Sequence, residues 1–176
     1  MISRRKESLP VLQVITELHK SISEWIGNAD FKATAILTLN GVIIALLSTR
    51  THDFKEILLK TSCSNPVTTT ATLSFGLYLI TFAVSLFFVF RTLLPDVKER
   101  TSSPFFFGSI AKMSLQAFQK HMSTLNENKA LDSLTEQIHI NSAIASSKFH
   151  SLKRSIQFLF LSLFFLIFFL LVTAVV

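Results

Sequence analysis

The sequence has one cysteine, four glycines and four prolines among its 176 residues. The single cysteine, Cys63, excludes an internal disulfide and a cysteine cluster for metal. So few glycines and prolines leave little room for flexible linkers. Charged residues make up only 16% of the chain, and tryptophan and tyrosine occur once each. This composition argues against a disulfide-stapled domain and against an ordinary soluble globular protein.

Motifs that carry catalysis are also missing. The five histidines are scattered without the spacing of metal ligands, and the chain contains no Gly-rich phosphate loop, nucleophile elbow or paired acid motif. We therefore expect no enzyme, no metal site and no resident cofactor. The formal charge of +6 follows from the membrane topology described below, so nucleic acid is not expected as a partner.

Apolar residues are abundant, at 49% of the chain, and 18 of them are phenylalanine. Three apolar segments predict transmembrane helices over residues 31–48, 73–94 and 156–176. The last segment contains no charge, glycine or proline. As a helix it would extend about 31 Å, which matches a hydrocarbon core of about 30 Å. The lipid bilayer is therefore the first expected partner.

Amphipathic stretches run directly into the first and last of these segments. Both stretches carry apolar residues at alternating steps of three and four, which is typical of a helix that buries one face. The residues that mark the two patterns are Val11, Ile15, Leu18, Ile22, Trp25 and Ala29, and then Leu131, Leu134, Ile138, Ala145 and Leu152. The patterns predict one helix from about Pro10 to Leu47, with Ser8 as a candidate N-cap, and another from Leu131 to Val176.

A further helical stripe from Phe105 to about Leu125 completes the expected architecture. We predict an all-α membrane protein in which three transmembrane helices carry a cytoplasmic helical bundle formed by extensions of the spans. The remaining segments are a basic tail with an amphipathic helix (1–30), a polar periplasmic loop (49–72) and a cytoplasmic helical hairpin (95–155). A bundle of this size buries little surface by itself, so a homo-oligomer is expected.

Basic residues give the orientation, because they favour the cytoplasmic side. The first loop carries three of them and the C-terminal end none. The other two regions carry fourteen, namely Arg4, Arg5, Lys6, Lys20 and Lys32, and then Arg91, Lys98, Arg100, Lys112, Lys120, Lys129, Lys148, Lys153 and Arg154. The N-terminus is predicted in the cytoplasm and the C-terminus in the periplasm of a bacterial inner membrane.

A few polar residues interrupt the apolar stripes and are the candidate functional residues. Asn141 and Lys148 occupy positions where the seven-residue pattern calls for apolar side chains, and Gln137 lies one turn before Asn141. One interpretation is structural, with Asn141 fixing the helix register as polar seam residues do. The other is a small pocket in which amides and an ammonium bind an anionic ligand.

Three more polar residues lie in or beside the first apolar segment. Asp30 and Lys32 are placed at the water–lipid junction, where a structural interpretation pairs Asp30 with a basic neighbour. Asn40 is followed by Gly41 near the centre of the segment. Because a polar group in lipid needs a partner, the face that carries Asn40 is expected to point at another helix.

Three sequence blocks resemble the Pycsar transmembrane effectors of bacterial antiphage defence. Residues 29–33 (ADFKA) followed by Asn40-Gly41 are similar to the opening "ADxKA…NG" of that family. Residues 106–111 (FFGSIA) are similar to its "FFGxIA" block, and residues 137–149 to its "QI…IAxxK(Y/F)" segment. The blocks occur in the family's order, although Phe149 stands where tyrosine is usual and Phe31 where a small or polar residue often is.

The resemblance implies an effector whose state changes when it binds a cyclic nucleotide made by a neighbouring cyclase or polymerase. The activated effector then damages the inner membrane and stops the infected cell, which is abortive infection. With this implied function, Gln137, Asn141 and Lys148 are the candidate ligand contacts. Asp30 and Lys32 are the candidate coupling point at the membrane. The alternatives are a ligand-independent holin-like or toxin-like protein and a membrane-anchored helical scaffold.

Overall fold

The computed structural model describes residues 4–49, 66–94 and 107–174. Within these ranges the chain forms helices only, with no strands. The helices are α1 (Arg4–Ser48), α2 (Pro66–Leu93), α3 (Phe107–Lys112), α4 (Leu115–Ser123) and α5 (Glu127–Ala174). Three of them, α1, α2 and α5, are long and apolar enough to cross a membrane. The prediction of an all-α membrane protein is confirmed.

Helices α1 and α5 each combine an amphipathic stretch and an apolar stretch without a break. They contain 45 and 48 residues. At a rise of about 1.5 Å per residue they extend roughly 68 and 72 Å, more than twice the thickness of a hydrocarbon core of about 30 Å. Each must therefore extend beyond the lipid, as the sequence pattern predicted for extended spans.

Both long helices begin earlier than predicted. Helix α1 begins at Arg4, before the expected cap Ser8. Helix α5 begins at Glu127 rather than at Leu131. The side chain of Asn126 accepts a hydrogen bond from the backbone N–H of Lys129 at 2.9 Å, so this asparagine caps the helix.

The predicted loop 49–72 is wrong in its last seven residues, because α2 begins at Pro66. Proline suits the first turn of a helix, because backbone N–H groups there have no acceptor inside the helix and the N–H that proline lacks would have been unpaired. The threonine-rich run that follows is helical. The hydroxyl of Thr70 donates to the Pro66 carbonyl at 2.8 Å, and that of Thr72 to the Thr68 carbonyl at 3.0 Å. Residues 50–65 of the predicted loop lie outside the described ranges.

The helical stripe predicted from Phe105 to Leu125 is two helices rather than one. Helix α3 ends at Lys112 and α4 begins at Leu115. Ser114 has an extended backbone, and its side chain accepts a hydrogen bond from the Ala117 N–H at 3.2 Å. A serine that caps a helix in this way cannot also lie inside one. Residues 95–106 of the predicted hairpin lie outside the described ranges.

The chain divides into two compact units. One, here called the amphipathic unit, comprises Met1–Asn28 and Pro95–Ser147. The other, the membrane unit, comprises Ala29–Leu94 and Lys148–Val176 and contains all three apolar segments. The division falls within α1 and within α5, so each of these helices contributes to both units.

The core of the membrane unit follows the seven-residue pattern. One face of α5 is buried at alternating steps of four and three, and we call this face the α5 seam. Its members are Lys148, Leu152, Ser155, Leu159, Ser162, Leu166 and Phe169. Apolar members pack with α1 and α2 in two clusters, one around Ala33, Val89 and Leu152, the other around Tyr78, Phe82 and Phe169. Such spacing is typical of helices whose axes cross at a small angle, whichever direction each helix runs.

The amphipathic unit leaves part of its apolar surface uncovered. On α1, Ile22 of the predicted apolar stripe is buried, whereas Val11, Leu18 and Trp25 of the same stripe are exposed, as is Val14. Leu115 at the start of α4 is 72% exposed. Exposed apolar residues in this number are typical of a surface that another protein or lipid covers.

Candidate functional site

Lys148 lies at the first position of the α5 seam, where an apolar side chain would be expected. The residue is only 9% exposed. Its ammonium Nζ lies 2.5 Å from the Asp30 carboxylate of α1 and donates to the Thr92 carbonyl of α2 at 2.7 Å. We call this group, Lys148 with Asp30 and Thr92, the lysine node. One side chain therefore connects all three helices of the membrane unit.

The Thr92 carbonyl is available to Lys148 because of its position in α2. The last four carbonyls of a helix have no partner inside the helix and carry partial negative charge, which a cation stabilises. Thr92 is fully buried, and its own hydroxyl donates to the Phe88 carbonyl at 2.9 Å. The Lys148 ammonium therefore caps the C-terminal end of α2.

The two charges of the node differ in their access to water. The side chain of Lys148 is 10% exposed, and that of Asp30 is 39% exposed. An ammonium has three N–H donors, and the two contacts above use two of them. Asp30 does pair with a basic side chain, as the structural interpretation predicted. The partner is Lys148 on a different helix, whereas Lys32 is exposed.

A second polar contact lies seven residues further along α5. The hydroxyl of Ser85 donates to the Ser155 carbonyl at 3.0 Å, the two hydroxyls are 3.4 Å apart, and both residues are fully buried. As α5 advances from Lys148 to Ser155, its partner on α2 moves back from Thr92 to Ser85. The two helices are therefore antiparallel and keep a seven-residue register.

Asn40 is fully buried in the membrane unit. Its amide nitrogen donates to the Ile36 carbonyl of the same helix at 3.0 Å. Its side-chain oxygen Oδ1 has no hydrogen-bond partner among the described residues. Asn40 shares its face of α1 with Ala33 and Ile43, which pack in the clusters with α2 and α5.

An aromatic contact lies close to the node on the same helices. The guanidinium of Arg154 lies 5.6 Å from the centre of the Phe88 ring. Phe88 in turn stacks on Phe158 of α5, with 6.0 Å between the ring centres and 11° between their planes. A cation over an aromatic face is attracted by the ring electrons. The contact therefore adds a further link between α2 and α5.

The other two candidate ligand contacts lie in the amphipathic unit. Gln137 and Asn141 are half-buried and one helical turn apart on α5. Asn141 and Lys148 are separated by seven residues of the same helix, and Lys148 belongs to the membrane unit. In the described part of the chain no three His, Cys, Asp or Glu side chains come together as metal ligands do.

Sequence reasoning missed the α2 members of these contacts. Thr92 contributes a backbone carbonyl, which no residue type signals. Its place three residues before Pro95, a proline that cannot continue a helix, was the available sign of an unpaired carbonyl. Ser155 could have been found from its seven-residue spacing after Lys148, but nothing in the sequence pointed to Ser85 as its partner.

Comparison with protein families agrees with the motifs. The family model of the Pycsar effector protein domain matches residues 14–175. This chain belongs to the Pycsar effector family. The match includes all three residues of the lysine node as well as Gln137 and Asn141. Comparisons with curated proteins and with solved structures give no match. The resemblance inferred from the sequence is confirmed, and it identifies a membrane-spanning effector of antiphage defence.

Proposed function

We propose that this Pycsar effector converts the binding of a cyclic nucleotide into perturbation of the bacterial inner membrane, without acting as an enzyme. The observation that supports this best is the lysine node, in which one ammonium connects α1, α2 and α5. Two of these helices continue into the amphipathic unit. A ligand that changes the bonds of Lys148 would therefore alter how all three membrane helices pack.

The proposed ligand is a cyclic nucleotide made by a neighbouring cyclase or polymerase, as family membership suggests. Its contacts are Gln137, Asn141 and Lys148, which lie on one helix. Asn141 and Lys148 are two turns apart, about 10.5 Å along the axis. The amides can donate to and accept from the edge of a base, and the ammonium can bind the phosphate.

Binding changes the state through competition for Lys148. At rest its ammonium is held by Asp30 and the Thr92 carbonyl. A phosphate that approaches the ammonium also approaches the Asp30 carboxylate, and two like charges repel each other strongly where water is scarce. The nucleotide therefore binds better when Asp30 has moved away. A ligand shifts a conformational equilibrium through such a difference in affinity, and through nothing else.

Release of Asp30 frees α1 from the other two helices at the node. Asp30 is 39% exposed, so its carboxylate can turn to water when it loses Lys148. Lys32 is exposed two residues further along, and in this proposal it stays in the headgroup region while the helix tilts. Asp30 and Lys32 together would make α1 the helix that moves.

The proposed arrangement in the cell follows the basic residues. The amphipathic unit would face the cytoplasm, where the nucleotide is made, and the C-terminus would face the periplasm. Several copies would associate as a homo-oligomer. The exposed apolar side chains of the amphipathic unit, among them Val14 and Leu115, support this association because water is a poor environment for them.

Calorimetric titration of the full chain in detergent tests the ligand contacts. The 3′,5′-cyclic mononucleotides of adenine, guanine, cytosine and uracil are titrated in turn. One of them should bind, and Asn141→Ala should weaken its binding at least about fivefold, because an amide lost from a base edge costs about 1–3 kcal/mol. Ser142→Ala, a change at an exposed neighbour, is the control and should bind normally. Binding that is unchanged in Asn141→Ala would contradict the assignment.

A further inference from the structure

The charged side chains in the described part of the membrane unit lie together at one end of it. The only carboxylate among them is that of Asp30, which Lys148 binds. The other cations are exposed and have no carboxylate partner within the described ranges. They are Lys32 of α1, Arg91 of α2, and Lys153 and Arg154 of α5. This end of the unit therefore carries an excess of positive charge.

Arg154 is the cation among these whose position is fixed by packing. Its guanidinium lies 5.6 Å from the centre of the Phe88 ring, which is itself stacked on Phe158. Phe88 is buried and Arg154 is exposed, so the guanidinium covers the ring from outside. Its N–H donors have no hydrogen-bond acceptor among the described residues. An arginine held in this way presents a rigid fork of donors to a ligand.

Arg91 brings a second guanidinium to the same ring. It lies three residues after Phe88, so it projects from the same side of α2, one turn nearer the end of the helix. In the antiparallel register of α2 and α5, Arg154 lies on the other side of the ring along the helix axis. Two guanidinium groups from different helices therefore flank one aromatic ring. We call Arg91, Arg154 and Phe88 the arginine site.

The surface that continues from the arginine site towards the middle of the spans is apolar. Phe87 lies one turn before Arg91 on the same side of α2, and Leu161 lies two turns after Arg154 on the same side of α5. Both of these apolar side chains are exposed. A ligand that suits both parts of this surface has an anionic group at one end and hydrocarbon at the other.

We propose that the arginine site binds the phosphodiester of an anionic phospholipid, whose acyl chains lie along Phe87 and Leu161. The guanidinium fork matches the oxygens of a phosphate, and basic pockets between transmembrane helices are known to bind such headgroups. The bound lipid would hold α2 against α5 from outside. The site contains none of the candidate nucleotide contacts, so it does not depend on the proposed function.

A general attraction between basic residues and a negatively charged membrane surface is the simpler alternative. That attraction depends on the number of charges and hardly on their position. Lys153 distinguishes the two explanations, because it is exposed and adjacent to Arg154 but turned about 100° from it around α5. Removing Lys153 therefore removes one charge from the same end of the unit and leaves the arginine site complete.

Lipid titration of the full chain in neutral detergent tests the site, with the melting temperature as the measure of binding. Phosphatidylglycerol should raise the melting temperature, and phosphatidylcholine with the same acyl chains should not, because its choline cation faces two guanidinium groups. Arg91→Gln and Arg154→Gln should each weaken the apparent affinity at least about fivefold, since each loses charge-assisted hydrogen bonds. Lys153→Gln is the matched control and should bind normally. Equal losses in Arg154→Gln and Lys153→Gln would overturn the inference.

Two further arms separate binding from folding and lipid from free phosphate. Arg154→Lys keeps a cation over the ring, so without lipid it should melt as the original chain does, yet it should bind the lipid more weakly because it lacks the fork. Normal lipid affinity in this variant would contradict the site. Inorganic phosphate has no acyl chains and should not raise the melting temperature. Stabilisation by phosphate equal to that by the lipid would show that the ligand is a free phosphate.

Discussion

Lys148 is tolerated in an apolar seam because two other helices supply its partners. A buried ammonium is costly unless it is paired and hydrogen-bonded. Asp30 provides the charge and Thr92 the additional acceptor. The sequence predicted that Asp30 would have a basic partner, but it could not identify Lys148 as that partner. The two residues are 118 positions apart, and only packing brings them together.

Removing the two charges of the node should have unequal effects. Asp30→Ala leaves a nearly buried ammonium without its counter-ion and should destabilise the protein by about 3 kcal/mol. Lys148→Met removes the charge and leaves the Thr92 carbonyl unpaired and Asp30 open to solvent, which should cost about 1–2 kcal/mol. The double variant should be more stable than Asp30→Ala alone. Thermal unfolding in detergent measures all three.

A charge swap is the control for this prediction. In Asp30→Lys with Lys148→Asp the ion pair is restored, but a carboxylate now faces the Thr92 carbonyl, and two acceptors cannot bond. The swap should therefore remain less stable than the original chain. Full recovery of the unfolding temperature would show that the Thr92 contact contributes nothing.

At the scale of elements, regular spacing was predictable and helix ends were not. The seven-residue patterns of α1 and α5 predicted both long helices, because periodic burial is a property of the whole segment. The start of α2 was missed because a run of threonines suggests a polar loop. In the structure their hydroxyls donate to carbonyls of the preceding helical turn, so the run is helical. The break at Ser114 was missed because the serine also fitted the helical stripe. Local hydrogen bonds decided both cases.

Helix α1 should transmit the signal only while it is unbroken. Asn28→Pro interrupts it where the two units meet, because proline removes a backbone donor and clashes with the preceding turn, at a cost of about 3 kcal/mol. Nucleotide affinity, which depends on α5, should change less than twofold, and vesicle leakage should fall at least tenfold. Asn28→Ala is the matched control. Leakage that survives the proline would show that α1 is not the coupling helix.

Gly27 offers the opposite change in the same turn. A Cβ added there meets nothing within 4 Å. Gly27→Ala should therefore stabilise α1 by about 0.5–1 kcal/mol, because alanine loses less backbone entropy in a helix. The melting temperature should rise and leakage should be retained. A lower melting temperature would indicate that this turn is not helical.

For the whole molecule, composition alone predicted the class. A chain with three long apolar segments and so few charges has to bury those segments in lipid. The motifs predicted the family, which the match over residues 14–175 confirms. The lysine node was beyond prediction, because it depends on which faces of three helices meet.

Opposite locations of the two termini follow from the proposed orientation. Green fluorescent protein fused to the N-terminus should fluoresce, because it folds in the cytoplasm. Alkaline phosphatase fused to the C-terminus should be active, because it needs the periplasm to form its disulfides. Exchanging the two reporters should silence both. Activity of the same reporter at both termini would place them on one side and contradict three spans.

Dye efflux from vesicles measures the central claim most directly, namely that a nucleotide bound at α5 opens the membrane unit. The vesicles contain the full-length chain and are exposed to each of the four cyclic mononucleotides. One nucleotide should raise efflux at least tenfold, and Asn141→Ala should abolish the response while Ser142→Ala keeps it. Efflux that scales with the amount of protein and ignores every nucleotide would contradict the account and indicate a ligand-independent toxin.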